Sequence, residues 1–313
     1  MQHPRWLDAL RNAYHLEAQV IALTDARGSL LAALPLIRSK LRRGRRWTSL
    51  PFTDTLEPVT VDKAGRDELL VGVAEDSDSR GVLIRTRASL PGWFSRQVGT
   101  VQVIDVAGGA EGVLRSAAAG TRRQVKRAQR PEAGLSAGQI TSRSEFLGAS
   151  LALTAQSRRR LGAPTQPRRY WTQVWELHER GEAMTIGVYL EDRLVANGVF
   201  ILGRQHAVYK YGASTLATRH LRTNYLMFAN AFDHMAARGL KSMDFGITDL
   251  NNASLRRFKV QWGGEERPAY FSATNARLLP DRLEPGRLLT ATIQHTPVFV
   301  GRALGSLAYP FAA

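Results

Sequence analysis

The sequence of 313 residues contains no cysteine. This absence excludes a disulfide framework, a thiolate zinc site and a cysteine nucleophile. Long uninterrupted apolar runs are also missing, so no segment is predicted to span a bilayer, and the N-terminal residues MQHPRWLDALRNAYH lack the apolar core of a signal peptide. We therefore predict a cytoplasmic protein.

The short motifs of several enzyme classes are missing as well. The seven histidines show no H-E-x-x-H spacing, and the chain has no Walker loop, Rossmann glycine fingerprint or G-x-S-x-G nucleophile elbow. Zinc hydrolases and nucleotide-binding folds therefore have little support. A Ser–His–Asp triad stays open, because its members need not be close in sequence.

Acidic residues are scarce relative to basic ones. The 27 Asp and Glu face 43 Lys and Arg, which gives a net charge of +16. The excess is concentrated in three blocks without acids: RSKLRRGRR (38–46), RRQVKRAQR (122–130) and SRRRLGAPTQPRR (157–169). A solvated surface would explain any one block, but three favour an anionic partner, above all phosphate. The first block suits anionic lipid or RNA equally well.

The second block has the spacing of a helix. Its cations recur at intervals of three and four residues and would form one positive stripe: Arg122, Arg123, Lys126, Arg127 and Arg130. Like charges at this spacing repel one another, so the stripe is costly unless an anion lies nearby. We predict that it binds substrate phosphates, together with Arg158 of the third block.

A weak internal repeat indicates the fold. Residues 18–37 and 184–202 each read as an alternating run, a polar turn and a second apolar run, which predicts a β-hairpin. In each half a further strand, a helix and another strand follow; the predicted strands are 47–52, 206–214, 81–87 and 241–247, and the predicted helices are 62–76 and 224–238.

Two such units in tandem predict an α+β protein with two related lobes, each a mixed β-sheet flanked by helices. We place the first lobe at residues 1–145 and the second at 146–275. The stretch 113–180 between the hairpins looks helical and basic. Residues 276–313 form a tail that either packs on the lobes or is mobile.

The segment LRRFKVQWGG (255–264) carries the candidate catalytic residue. One lysine, Lys259, lies between Phe258 and Trp262, and two adjacent glycines follow. Glycines permit close approach of the backbone to another group. Lys259 would lie at that approach, although a lysine that extends from a strand end to solvent is the alternative.

Several segments in the same order resemble a known family. They are SLPFTD (49–54), TAQSRRRLGAPTQPRRYW (154–171), VYKYGAS (208–214), TNYLMFANAFDHMAARGLKSMDFG (223–246) and LRRFKVQWGG. Together they are similar to the Fem-type, FemAB-related peptidyltransferases, which have two tandem lobes of the GNAT acyltransferase fold. The resemblance covers about residues 15–275 and implies two GNAT-like lobes, with the active site in the second.

The resemblance also implies a reaction. Fem-type enzymes transfer an amino acid from aminoacyl-tRNA to an amine of a cell-wall peptidoglycan precursor, without a metal or redox cofactor. The lysine of their matching Phe-Lys pair stabilises the 3′ end of the tRNA and the intermediate. We carry this role over to Lys259 and, more weakly, to Phe258. Aminolysis of an ester passes through an oxyanion, which a cation at this position would stabilise.

Other candidates come from strands and helix ends in the second lobe. Tyr209 and Tyr211 would share one face of a strand and line a substrate cleft, or be half-buried sheet residues. Asp244 would accept a proton from the incoming amine or be tied to nearby backbone N–H groups. Asn224 is predicted to be the N-cap of its helix and a substrate-binding residue.

The donor site departs from the usual coenzyme A pattern. GNAT enzymes that use coenzyme A have a glycine-containing loop around the pyrophosphate at a helix N-terminus. Here the segment RHLRTNY (219–225) has no glycine, although Arg219 and Arg222 could hold a phosphate. The first lobe offers DKAGRDE (62–68), whose acids would repel pyrophosphate, so that lobe is predicted to be a scaffold or to bind the acceptor.

Three functions stay open on the sequence. The first is an aminoacyltransferase that uses aminoacyl-tRNA and a phosphate-bearing acceptor. The second is an N-acyltransferase of the same fold with an acyl-CoA donor. The third is a non-catalytic protein that binds RNA or makes peripheral contact with an anionic membrane.

Overall fold

The computed structural model describes residues 4–38, 46–75, 81–280 and 287–309. Within these ranges the helices are α1 (Pro4–Tyr14), α2 (Lys63–Glu75), α3 (Gly109–Ser116), α4 (Ala119–Ala128), α5 (Arg143–Glu145), α6 (Leu151–Arg160), α7 (Arg168–Glu179), α8 (Thr223–Ala237), α9 (Ala253–Val260), α10 (Arg287–His295) and α11 (Val298–Ala308). The strands are β1 (Ala18–Thr24), β2 (Leu30–Arg38), β3 (Trp47–Ser49), β4 (Val59–Thr60), β5 (Val82–Thr86), β6 (Phe94–Asp105), β7 (Leu135–Gln139), β8 (Ala183–Leu190), β9 (Arg193–Leu202), β10 (His206–Ser214), β11 (Ser242–Asp244), β12 (Thr248–Asp249) and β13 (Glu265–Ala273).

The chain divides into two compact units. The first comprises Met1–Thr100, Arg267–Glu284 and Ser306–Ala313, and the second comprises Val101–Glu266 and Pro285–Gly305. Most of the basic block 38–46 lies outside the described residues.

In the first unit, a hairpin begins the sheet. Strands β1 and β2 pair antiparallel around the turn at Asp25, whose carboxylate accepts hydrogen bonds from the N–H groups of Arg27 and Ser29. Strand β2 pairs antiparallel with β3, β3 pairs parallel with β5, and β5 pairs antiparallel with β13. Helix α2 crosses from β4 to β5 and buries Leu69, Leu70 and Val73 against the sheet.

The second unit repeats this topology. Strands β8 and β9 form the hairpin, β9 pairs antiparallel with β10, β10 pairs parallel with β11, and β11 pairs antiparallel with β6. Helix α8 makes the crossover that two parallel strands require. Apolar residues surround most of α8, because it is covered by the sheet on one side and by α3 and α4 on the other.

The predicted α+β fold with two tandem lobes is therefore confirmed. Both hairpins, both crossover helices and the strands that flank them lie within a few residues of the predicted positions. The identical pairing sequence in the two units (antiparallel, antiparallel, parallel, antiparallel) supports the repeat, which periodicity alone had suggested.

The boundary between the units differs from the predicted position near residue 145. Strand β7 pairs antiparallel with β8, and helices α3 and α4 pack on α8, so residues 101–145 fold with the second unit. The first unit is in turn completed by β13, which pairs with β5. Sequence periodicity does not reveal this exchange, because it locates elements but not their partners.

The tail contains two helices, and its described parts are packed. Helix α10 lies on α6, where Gly162 leaves no room for a side chain against Thr290 and Gln294 donates to the carbonyl of Arg160. Tyr309 packs against Tyr14 in the first unit, with ring centroids 6.3 Å apart.

Candidate functional site

Helix α9 has the reverse of the usual burial pattern. Its first turn is capped by Asn252, whose side chain accepts a hydrogen bond from the N–H of Leu255. Along the helix the apolar Leu255 and Val260 are 39% and 41% exposed, whereas Lys259 is only 4% exposed. Lysine is rarely buried unless its charge has a partner, because removing the ammonium from water is costly. The burial of Lys259 therefore calls for a specific role.

The two glycines after α9 lie against the chain itself. Gly263 has φ +84°, and a Cβ there would lie 2.5 Å from the carbonyl oxygen of Ser116. A Cβ at Gly264 would lie 2.5 Å from Cγ2 of Ile104. The close approach predicted from the sequence is real, and its effect is to fix the C-terminal end of α9 against α3 and β6.

Lys259 and Asp244 meet at one peptide unit. The Nζ of Lys259 donates to the carbonyl oxygen of Gly246 at 2.8 Å, and Oδ1 of Asp244 accepts from the N–H of Gly246 at 2.7 Å. Both side chains are buried. The sequence allowed two roles for Asp244: a proton acceptor, or a side chain bonded to nearby backbone N–H groups. The bond to Gly246 is of the second kind. The turn after β11 thereby fixes the position of the ammonium.

Aromatic rings connect α9 to α8. Phe258 and Trp262, four residues apart on one side of the chain, pack against Tyr225 with centroids 5.5 and 5.7 Å away. Trp262 also contacts Phe228 and Phe232. The N-terminal end of α8 and the Lys259 helix are therefore held together by a buried aromatic cluster.

Strand β10 contains a bulge at Lys210. Tyr209 pairs with Phe200 and Tyr211 pairs with Val199, so Lys210 is the extra residue between the two pairs. A bulge shifts the alternation of side chains by one residue. The prediction that Tyr209 and Tyr211 share a face is therefore wrong: Phe200 and Val199, their partners, point to opposite faces.

The two tyrosines have different surroundings. The ring of Tyr209 packs on that of Phe228 in α8, with centroids 4.9 Å apart. Burial raises the pKa of the Tyr209 hydroxyl. The Tyr211 hydroxyl donates to that of Tyr170 of α7 and accepts from Nε2 of Gln166. Only Tyr209 lies on the side of the sheet that carries α8.

Strand β10 extends beyond its pairing with β11. Their parallel pairing covers His206–Val208 and Ser242–Asp244, while β10 continues to Ser214. The chain then turns through Thr215–Thr218 into α8. Ligands of open α/β sheets bind at the carboxyl ends of parallel strands beside a helix N-terminus, and this region has that geometry.

Arg222 is the N-cap of α8 and has a left-handed backbone, with φ 65° and ψ 34°. The prediction that Asn224 is the N-cap is therefore wrong, because the helix begins at Thr223 and leaves Asn224 exposed in its first turn. Among the described residues, none accepts a hydrogen bond from the N–H groups of Thr223 and Asn224. The positive end of the helix dipole thus faces a basic loop without a capping side chain.

Helix α4 supplies further positive charge beside Arg222. The Nε of Arg222 donates to Oε1 of Gln124 at 2.7 Å. Gln124 belongs to a depression of about 350 Å³ that is otherwise lined by Arg123, Lys126, Arg127 and Arg130. Among the described residues, no carboxylate forms an ion pair with these four cations. The predicted positive stripe is present and continues to the N-terminus of α8.

Comparison with known proteins matches this part of the chain to one family. Residues 115–260 match the model of the acetyltransferase (GNAT) domain. This range has the GNAT fold and is called the GNAT domain below. The predicted acyltransferase class is thereby confirmed, and the matched range contains α8 and α9. No curated protein matches the chain.

Several solved structures share the fold of most of the chain. FemX has a TM-score of 0.68 at 15% identity, with 85% of this chain and 90% of that chain covered. The C-terminal domain assigned to a lysylphosphatidylglycerol synthetase from Agrobacterium fabrum has a TM-score of 0.57 at 11% identity, with 88% and 92% covered. A tandem GNAT protein from the clavulanic acid biosynthesis pathway has a TM-score of 0.52 at 13% identity, with 87% and 94% covered. The resemblance to Fem-type proteins is confirmed at the level of the fold.

Two arginines predicted to bind substrate have intramolecular partners in the GNAT domain. Arg122 donates to the carbonyl of Ala117 at the start of its own helix. The Nε of Arg158 donates to the carbonyl of Pro164 at 2.6 Å and so holds the loop after α6. These bonds give both side chains a local structural use, and their binding role stays a prediction.

The site of the GNAT domain therefore joins Lys259, Phe258, Asp244 and Arg222 through three groups that sequence reasoning missed: Gly246, Tyr225 and Gln124. Tyr225 could have been identified from the sequence, because it follows Arg222 by three residues. Among the described residues, no group of three His, Asp or Glu side chains could hold a metal ion. No helix in those ranges is both long and apolar enough to cross a membrane.

Proposed function

We propose that the protein transfers an aminoacyl group from aminoacyl-tRNA to an amine of a cell-envelope precursor or a similar small acceptor. The observation that carries the proposal is the burial of Lys259 on a helix where Leu255 and Val260 are exposed. Nothing about packing requires a lysine at this position, so its charge is the property to explain. Aminoacyl-tRNA is made in the cytoplasm, and the proposal places the protein there.

The reaction requires positive charge beside the carbonyl. The amine of the acceptor attacks the ester carbon and the carbonyl oxygen becomes an oxyanion. The intermediate then collapses as the acyl C–O bond to the ribose breaks and a proton passes from the amine nitrogen to the departing ribose oxygen. Lys259 stabilises the oxyanion electrostatically, and Gly246 holds the ammonium in place while that charge develops. Asp244 positions the Gly246 peptide. The step needs neither a metal nor a redox cofactor.

Donor and acceptor phosphates have a matching surface in the GNAT domain. Arg222, the free N–H groups at the start of α8 and the α4 cations form a continuous positive region. Arginine forks and helix N-termini both bind phosphate oxygens well. We assign this region to the 3′ end and backbone of the donor.

The test is a measurement of donor consumption. The protein is incubated with mixed charged tRNA and, separately, with acyl-CoA, while cell extract supplies the acceptor. We expect loss of the aminoacyl ester from tRNA with wild type and not with Lys259→Met, which keeps the side-chain length. Charged tRNA that stays intact in every extract would contradict the proposal.

A second candidate, an N-acyltransferase with an acyl-CoA donor, is favoured by Arg222. This residue has the left-handed conformation that a glycine-containing pyrophosphate loop would adopt at the start of a helix, although it is not glycine. Strand β10, which extends beyond its pairing with β11, leads into the same helix. Thermal stabilisation by coenzyme A, without stabilisation by tRNA, would select this donor.

A further inference from the structure

Two leucines of the second unit are largely exposed on neighbouring segments of the chain. Leu161 ends α6 and is 65% exposed, and Leu216, in the loop after β10, is 60% exposed. Single exposed apolar residues are common and need no explanation. A pair flanked by cations on one surface is a different observation.

Hydrogen bonds through Arg160 bring the two segments together. Arg160, the residue before Leu161, donates from its guanidinium to the carbonyl of Ser214 at 3.2 Å, two residues before Leu216. Its own carbonyl accepts a hydrogen bond from Nε2 of Gln294 in α10. Leu161 and Leu216 therefore project from adjacent loops that Arg160 connects.

Cations lie close to both leucines in the sequence. Arg159, Arg160 and Arg219 are exposed, and burial together with the nearby Arg219 lowers the pKa of Arg160. The two segments that carry this surface, 147–175 and 193–232, contain no Asp or Glu, and neither does 285–313, which contains Gln294. Leu161, Leu216, Arg159, Arg160 and Arg219 together are called the leucine–arginine surface below.

We propose that the leucine–arginine surface docks on an anionic lipid bilayer. The two leucines enter the headgroup region, and the arginines contact lipid phosphates, which is the combination of apolar anchors and basic charge that interfacial binding requires. A surface for RNA would use the arginines but gain nothing from exposed leucines. The inference goes beyond the proposed function, which concerns the reaction and not where the enzyme works.

The test is flotation of the full-length protein with vesicles of phosphatidylglycerol and phosphatidylcholine, compared with phosphatidylcholine alone. We expect binding to the anionic vesicles only, about tenfold weaker for the double variant Leu161→Ser, Leu216→Ser. Arg159→Gln should weaken binding about fivefold. The control is Val20→Ser with Leu30→Ser, two exposed aliphatic residues of the first hairpin, which should bind like wild type.

Three results would overturn the inference: no binding to anionic vesicles, equal binding to neutral vesicles, or binding that the leucine variant leaves unchanged. Tight binding of a short RNA duplex that depends on Arg159 and not on the leucines would assign the surface to RNA instead. Vesicle binding is also measured on Lys259→Met, so failure of the acyl-transfer proposal stays separate from failure of this one.

Discussion

The two units differ most at the start of their crossover helices. In the first unit, Oδ1 of Asp62, the residue before α2, accepts a hydrogen bond from the N–H of Gly65 at 2.8 Å. In the second unit, Arg222 precedes α8, and among the described residues no side chain caps this helix. The first helix N-terminus already holds an anion, its own carboxylate, whereas the second presents free N–H groups and a cation.

The two units also differ at the ends of their parallel strands, which are β3 and β5 in the first unit and β10 and β11 in the second. After β3 the chain folds back in the loop 50–54, and Arg85 of β5 donates to the carbonyls of Leu50 and Thr53. Burial of the guanidinium lowers the pKa of Arg85 to about 10. In the second unit the pairing of β10 with β11 ends at Val208, before the Lys210 bulge, and β10 continues to Ser214. In the first unit the charged groups hold the unit's own loops, whereas in the second unit we propose that they bind a ligand.

The largest expected effect is on turnover through the second unit. Lys259→Met should lower the rate of acyl transfer by about 100-fold or more, because the oxyanion loses its stabilising charge. Single-turnover kinetics with charged tRNA would measure it, and thermal unfolding would verify the fold. Arg257→Met, an exposed cation on the same helix, is the matched control. Near-normal turnover in folded Lys259→Met would remove the catalytic role.

In the first unit the expected effect is on stability alone. Arg85→Leu should lower the free energy of unfolding by about 2 kcal/mol, since two carbonyls lose their donor. Turnover per folded molecule should change less than about twofold. Urea unfolding and kinetics on the same samples would measure both, with the exposed Arg27→Leu as control. A strong fall in turnover at unchanged stability would instead place ligand binding in the first unit.

Arg222→Gly should separate backbone strain from donor binding. Glycine relieves the left-handed conformation, so stability should stay within about 1 kcal/mol of wild type or rise. Donor affinity should fall about tenfold, because a charge-assisted contact to phosphate is lost.

The matched control for this variant is Glu191→Gly, at φ 52° in the turn between β8 and β9. It relieves the same kind of strain away from the helix N-terminus. Donor titration followed by thermal shift would compare the two variants. Equal donor affinity in both would show that Arg222 does not contact the donor.

The smallest effect belongs to the cap of the first unit. Asp62→Ala should cost about 1 kcal/mol of unfolding free energy, the usual value of a helix N-cap, without altering donor affinity. Asp67→Ala, which removes an exposed ion pair with Lys63 on the same helix, should cost less than about 0.5 kcal/mol. Similar losses for both acids in urea titrations would mean that Asp62 contributes nothing as a cap.

Periodicity was sufficient to predict the repeated unit. Alternation identified both hairpins, and helical spacing with a basic last turn identified α8 to within one residue at each end. These patterns arise because buried positions are occupied by apolar residues and exposed positions by polar ones, so the sequence alone shows them. The positive stripe on α4 was predictable for the same reason.

What could not be predicted depends on partners far away in sequence. The bulge at Lys210 arises from register with β9, and nothing in VYKYGAS marks the extra residue. The glycines 263 and 264 signalled a close approach, but Ser116 and Ile104 could not be identified as the groups approached. The left-handed backbone conformation of Arg222 could not be predicted, because glycine is the residue that normally indicates such a position.

The pairing of β13 with β5 has a consequence for synthesis on the ribosome. Tyr270 is the partner of Thr86, so the first unit lacks one strand until the chain has grown past nearly the whole second unit. The later unit can thus mature while the earlier one still exposes an unpaired strand edge. Nascent chains that stall between residues 100 and 267 would be the aggregation-prone species of this protein.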